Sequence, residues 1–204
     1  MRSRTNCEDS ISSWSSTNTL DIFERIMNNR TSYDKMIEYV KQVLSMLPHL
    51  HANVIMFATL TGLRPIEVCS SVHLIHTDLS NYLNSDLFIL EHFKWNDIFI
   101  RRTKKAFISV MTNRLLQIAK SADYHSYRSI YVYLSKPGLP IRMNYCRKIF
   151  GTHLRYCGIE SQMVNLLEGR ISPEIFVRHY WSPNMKQDIE RVGKAIDSLA
   201  NQLL

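Results

Sequence analysis

LHANVIMFATLTGLRPIE, residues 50–67, is the stretch that decides the fold. Residues 50–61 are nearly all apolar, which predicts a helix buried on every side and therefore central. Gly62 tolerates the left-handed conformation that ends a helix, and Pro65 has the fixed φ that suits a first helical turn. A second helix therefore opens at Pro65, and Arg64 lies on the tight connection between the two.

Upstream, residues 18–29 and 32–47 carry apolar side chains at helical spacing (Ile22 and Ile26; Met36, Tyr39, Val40, Val43, Leu44 and Leu47), with Ser32 as N-cap and Pro48 as a stop. Residues 1–17 are rich in Ser, Thr and Asn with little to bury, and read as a disordered leader. Downstream the pattern changes to short β-type runs, LFIL at 87–90, DIFI at 97–100 and AFISVM at 106–111. Arg101, Arg102, Thr103, Lys104 and Lys105 fall between the second and third runs, which predicts a hairpin with a strongly basic tip. From Thr112, an N-cap residue, helices are predicted over 113–121, over 143–157 ended by Gly158, and over 161–168 ended by Gly169. A short helix opened by Ser172 and Pro173 comes next. Ser182 and Pro183 open the last one, in which Met185, Ile189, Val192, Ile196, Leu199 and Leu203 form a single stripe. The expected class is α+β, mainly α, with one small antiparallel sheet: a leader over 1–17, a main domain over 18–183 and an amphipathic helix over 184–204.

At 204 residues the chain suits one compact core with a loose end. No apolar run reaches the roughly 18 residues that span a bilayer, and the polar N-terminus lacks the apolar core of a signal peptide, so a membrane partner is excluded and a cytoplasmic location expected. Cys7, Cys69, Cys146 and Cys157 form no Cys-x-x-Cys pair and have no His at zinc spacing, which favours reduced thiols over a disulfide frame or a metal site. The net charge of +7 is unevenly spread. Residues 94–155 hold 13 Lys and Arg against only Asp97 and Asp123, whereas 1–93 hold 7 against 10 and 156–204 hold 5 against 6. An ordinary surface intersperses its charges, so the basic middle points to a polyanion, most simply a nucleic-acid backbone.

The stretch GRISPEIFVRHY, 169–180, closes a set of residues suited to one chemistry. Cleaving a phosphodiester with a protein hydroxyl requires neutralising the non-bridging oxygens, placing an in-line nucleophile and protonating the departing 5′ oxygen. Residues 94–180 offer few carboxylates and no paired acidic motif, but several guanidiniums. Arginine suits the first task, since its planar fork gives two parallel charge-assisted hydrogen bonds to phosphate and keeps its charge. A tyrosine suits the second, because a phosphotyrosine ester preserves the energy of the broken bond, although a phenol with a reference pKa near 10 needs local help to deprotonate.

Taken in order, these segments resemble the tyrosine recombinases, or phage-type integrases, and most of all the integrases of archaeal spindle-shaped viruses and related mobile elements. TGLRPIE at 61–67 is similar to the first-arginine box, which implies Arg64 as a phosphate ligand and Glu67 as its structural partner. NYCRKIFGTHLRYCGI at 144–159 is similar to the second box, with Arg147 at its arginine. LLEGR at 166–170 is similar to the Leu-Leu-Gly-His segment, with Arg170 where most members carry His or Trp, and Tyr180 falls at the nucleophile's place. The basic hairpin is similar to the strand pair that carries the family's lysine general acid, which implies Lys104, with Lys105 next and Lys94 third. The resemblance covers about residues 45–185.

What it implies is the catalytic core of a DNA breaking-rejoining enzyme, without metal, nucleotide or other cofactor. Arg64, Arg147 and Arg170 bind the scissile phosphate, Lys104 protonates the leaving oxygen and Tyr180 forms a 3′-phosphotyrosine link. Asn144, Arg101, Arg102, Lys105, Lys148 and His179 contact DNA, with His179 also able to assist Tyr180 as a base. The partner is double-stranded DNA at attachment sites, the working form a homotetramer assembled on DNA from free monomers, and the place the nucleoid of a host cell. The final helix packs on its own domain or docks on a neighbouring protomer. Asn144 stands where the second box has His or Lys, which removes a cation and implies a reduced rate. Only about 45 residues precede the first-box region, where the family carries a DNA-clamping domain, so either a longer protein or one that grips DNA weakly is expected. Two alternatives stand beside this reading: a recombinase-derived DNA-binding module without turnover, and a topoisomerase-like nickase.

Overall fold

Eight consecutive buried residues, Val54 to Thr61, decide the architecture, because a helix apolar on all sides must be surrounded. The computed structural model describes residue 27 and residues 32–102, 104–123, 127–135, 143–171 and 179–204. The chain divides into two units, Met1–Ser32 and Tyr33–Leu204, and the helices and sheet of the fold belong to the second. The expected leader, all but Met27 of the helix over 18–29, and the short helix after Ser172 lie outside the described residues.

The buried run belongs to α2 (His49–Thr61), which comes after α1 (Tyr33–Met46) and precedes α3 (Pro65–Thr77). After α4 (Leu79–Tyr82) come β1 (Leu83–Asn84), β2 (Ile89–Leu90), a 3₁₀ turn (His92–Lys94), α5 (Asn96–Phe99) and β3 (Ser109–Val110). The remainder is α6 (Asn113–Lys120), α7 (Tyr127–Ser135), α8 (Met143–Tyr156), α9 (Ser161–Leu167) and α10 (Met185–Leu203). The described fold is thus mainly helical with one three-stranded antiparallel sheet, order β1-β2-β3, in which Leu83 faces Leu90 and Ile89 faces Val110. Among the described residues no helix is long and apolar enough to cross a membrane.

Helix α8 lies across α2, and α1, α6 and α10 complete the surround. Gly62 takes φ +66° at the end of α2, with its N–H donated to the Ala58 carbonyl at 3.0 Å. A Cβ at Gly62 would meet the Phe150 ring at 2.4 Å, so glycine is required twice over, for the turn and for the closeness of α8. The stripe of α10 (Ile189, Val192, Ile196, Leu199, Leu203) is buried within its own unit, clamped by Thr112 Oγ1 donating to Asp197 at 2.8 Å. Within the single chain this helix packs on α1, α2 and α8.

One reading of the sheet region needs correction. DIFI at 97–100 is not a strand: Asn96–Phe99 is one helical turn, with the Ile98 and Phe99 N–H groups donated to the Trp95 carbonyl and Phe99 packed beside Tyr82 and His92. Burial of Phe99 outweighs the β preference of Ile and Phe, a preference that depends on context. The basic stretch therefore does not join two regular strands, yet the chain still turns back antiparallel across it: Ile100 bridges Lys105, the Arg101 N–H is donated to the Lys104 carbonyl at 2.9 Å and the Lys104 N–H to the Arg101 carbonyl at 3.3 Å, and the Ala106 N–H to the Phe99 carbonyl at 2.9 Å. Helix α7, unforeseen, is built from residues of high β propensity, and among its described side chains Ile130 is buried.

A chain of buried polar contacts ties the sheet to α3. Ser71 Oγ meets the Tyr82 hydroxyl at 2.9 Å, that hydroxyl meets His92 Nδ1 at 2.6 Å, and His92 Nε2 meets Ser109 Oγ at 2.7 Å. Complete burial pushes the His92 imidazole down to a pKa of about 3 and raises the Tyr82 phenol, so both are neutral partners.

Candidate functional site

Arg64 is placed by backbone before its side chain is considered. It is the N-cap of α3, with φ −78° and ψ 157°, immediately after the left-handed Gly62 link. Glu67 closes a capping box: its Oε2 accepts the Arg64 N–H at 2.9 Å, and its Oε1 accepts Arg64 Nη1 at 2.8 Å. Glu67 is fully buried, and its Oε1 also accepts Arg101 Nη2 at 2.9 Å. A buried carboxylate is tolerated when it is both paired and hydrogen-bonded, and Glu67 achieves this by drawing two guanidiniums together.

The loop contributes through its main chain. The Lys105 carbonyl accepts Arg64 Nη1 at 3.1 Å. From the other side Gly169, at φ +69°, presses so closely that a Cβ there would fall 1.7 Å from the same Lys105 oxygen. Glycine at 169 therefore lets the turn after α9 reach the loop, and Arg170 arrives beside it.

Arg147 enters from the first half of α8. It donates from Nη1 to the Gly62 carbonyl at 2.8 Å and from Nη2 to the Glu168 carbonyl, while its Nε lies 3.7 Å from Glu168 Oε1. Arg170 Nη1 lies 3.2 Å from Glu168 Oε2. Burial lowers the pKa of Arg147, Glu168 opposes that fall, and the charges of Arg64 and Arg170 add to it. The group still remains a cation near neutrality.

Two cavities meet at Asn144 and Arg147, which line both. The smaller, about 340 Å³, is formed by Leu63, Pro65, Ile66 and Met143 beneath Arg64, Arg101 and Lys104. The larger, about 530 Å³, runs between α8 and α9 past Lys148, Arg155, Asn165 and Arg170. Asn144 and Lys148 are exposed on α8. Arg64 and Lys104 thus line one cavity, Arg170 the other and Arg147 both, so that four cations from segments far apart in sequence stand on two adjoining cavities, together a trough with cationic walls.

Other expected residues are placed differently. Lys105 supplies its carbonyl and does not line the smaller cavity, Arg102 is exposed, and Lys94 is ion-paired with Glu91. Arg101, expected as a DNA contact, is also the second partner of Glu67. Tyr180 is 72% exposed and Trp181 packs against the core, with His179 exposed beside them. Among the described residues no hydrogen bond or ion pair joins Tyr180 to the arginines, and residues 172–178, which link it to Arg170, lie outside the described set.

Sequence reasoning missed the buried carboxylate of Glu168 and the close approaches at Gly151 and Gly169. The only signal for them was the glycines themselves, one inside a helix and one at its end.

Comparison of the chain with protein-family models, with curated proteins and with solved structures gives no match.

Proposed function

We propose that this chain is the catalytic domain of a tyrosine recombinase, a site-specific DNA breaking-rejoining enzyme that works through a 3′-phosphotyrosine intermediate. The observation that supports it is the gathering of Arg64, Arg147, Arg170 and Lys104 around one trough. These are the cations that the family's boxes, in their order along the chain, imply for a single phosphate.

The chemistry rests on these groups. Guanidiniums already fixed on one edge by Glu67, Glu168 and main-chain carbonyls meet the non-bridging oxygens with little reorganisation. The Tyr180 oxygen attacks phosphorus as its proton departs to a base. The bond to the 5′ oxygen breaks, and Lys104 gives that oxygen a proton. A 5′ hydroxyl from another strand reverses the sequence and frees the tyrosine, and the balance needs no metal or nucleotide. The partner is double-stranded DNA, and exchange between paired sites calls for four protomers. Exposure of Tyr180 suits a nucleophile delivered into the trough when DNA binds.

The same exposure, with Asn144 in the second box, favours a second reading: a DNA-binding module without turnover. One experiment divides them. On a nicked duplex that traps the cleaved strand, the recombinase leaves protein covalently attached on a denaturing gel. A binding module shifts the duplex in a native gel, with steep salt dependence, and leaves no adduct.

A further inference from the structure

The proposed chemistry does not say which guanidinium depends on the buried carboxylate of Glu168. The Glu168 side chain is 8% exposed and offers each oxygen to a different guanidinium, Oε1 to Arg147 at 3.7 Å and Oε2 to Arg170 at 3.2 Å. Arg147 has two further anchors, the Gly62 and Glu168 carbonyls, and keeps them whatever the Glu168 side chain becomes. Arg170 has none: its side chain is 63% exposed, and Glu168 is its one hydrogen-bonding or ionic side-chain partner among the described residues. A long exposed arginine explores many rotamers unless a fixed acceptor selects one.

A second feature shows that this carboxylate has a built seat. Gly151 lies inside α8, where glycine is less favourable than alanine, and a Cβ there would stand 3.0 Å from Glu168 Oε1. The helix lacks a side chain at the position where the carboxylate sits. Buried, seated and bound to α8 through its own carbonyl as well, Glu168 is not placed to swing out when an anion arrives.

The geometry points to Glu168 as the positioning residue for Arg170, holding that guanidinium over the trough so that it meets a DNA phosphate already gripped by Arg147. This rests on the proposed reading of the trough as a phosphate cradle. Glu168 touches neither DNA nor the reacting atoms, and Arg170 is the guanidinium that depends on it, since Arg147 keeps its two carbonyl anchors without it.

The test is a double-mutant cycle of wild type, Glu168→Gln, Arg170→Ala and the pair, read as adduct rate on the nicked duplex and as affinity for that duplex at fixed salt. Each single change should slow adduct formation about tenfold, and the pair should be no slower than Arg170→Ala alone, because a guanidinium that is absent cannot be misplaced. Affinity should change by less than about threefold, since one phosphate contact of several is altered. Gly151→Ala keeps every charge and improves helix propensity, yet by crowding Oε1 it should slow the adduct about threefold. Losses that multiply in the pair, or a Glu168→Gln rate equal to wild type, overturn the inference. Should Glu168→Gln not fold, Glu168→Asp, which keeps the charge and shortens the reach, takes its place in the cycle. If wild type forms no adduct at all, it is the cleavage reading that fails. The cycle is then scored on urea unfolding, where non-additive losses show that the carboxylate holds the Arg170 guanidinium and additive ones refute it.

Discussion

Replacing Arg147 by lysine separates scaffold from chemistry, because one guanidinium serves both. Its side chain is 14% exposed and holds two carbonyls, that of Gly62 at 2.8 Å and that of Glu168. A lysine ammonium at the same depth reaches only one of them. The other acceptor loses a charged donor, a change worth about 1–2 kcal/mol when water can partly replace it. For a chain of this size that lowers the melting temperature by about 3–6 °C. The transition state loses a planar fork that a point charge cannot reproduce, about 2.7–4 kcal/mol, or a hundredfold to a thousandfold in rate. The assay is adduct formation on a nicked duplex, run well below the variant's melting temperature, so that both proteins are folded. A rate within about threefold of wild type under those conditions would show that Arg147 is a strut and not a phosphate ligand.

Gly169→Ala and Gly158→Ala both place a side chain at positive φ, at a cost of about 1–2 kcal/mol. Only at 169 does the Cβ meet backbone, while at 158 nothing lies within 4 Å. Urea unfolding should therefore show Gly169→Ala the less stable by at least about 2 kcal/mol, and equal values would refute the close approach to Lys105. Glu67→Gln removes the charge that Arg64 and Arg101 share and should cost about 2–4 kcal/mol in the same assay; an unchanged midpoint would deny Glu67 its anchoring role. For His92, burial holds the folded pKa at about 3 against an ordinary 6.5. Above pH 6.5 neither state takes the proton; between there and about 3 only the unfolded chain does, so this residue makes stability fall as pH falls. From pH 6 to 4 the stability of His92→Gln should fall less steeply than that of wild type, by about 1 kcal/mol per pH unit, and identical slopes would show that His92 titrates normally.

The helical frame was readable where sequence signals agreed. The unbroken apolar run of α2, the left-handed Gly62 and Pro65 at a first turn all pointed to one boundary, and Arg64 stands on it. The sheet was not readable at the same level. Its strands are two residues long, and the choice between strand and helix at 96–99 was made by the burial of Phe99 against Tyr82 and His92, contacts distant in space from any local pattern. For the site, residue type and order suggested which cations belong together. What fixes them could not be seen, since Glu67 and Glu168 look like ordinary surface carboxylates until burial turns each into a clamp for two guanidiniums.

The most direct measurement is to trap the protein on a nicked duplex, digest the adduct with protease and identify by mass spectrometry the residue that carries the nucleotide. A phosphodiester on the Tyr180 oxygen, with no adduct from Tyr180→Phe, is the expected result. A nucleotide carried by any other residue, or an adduct that survives the loss of that hydroxyl, would contradict the account.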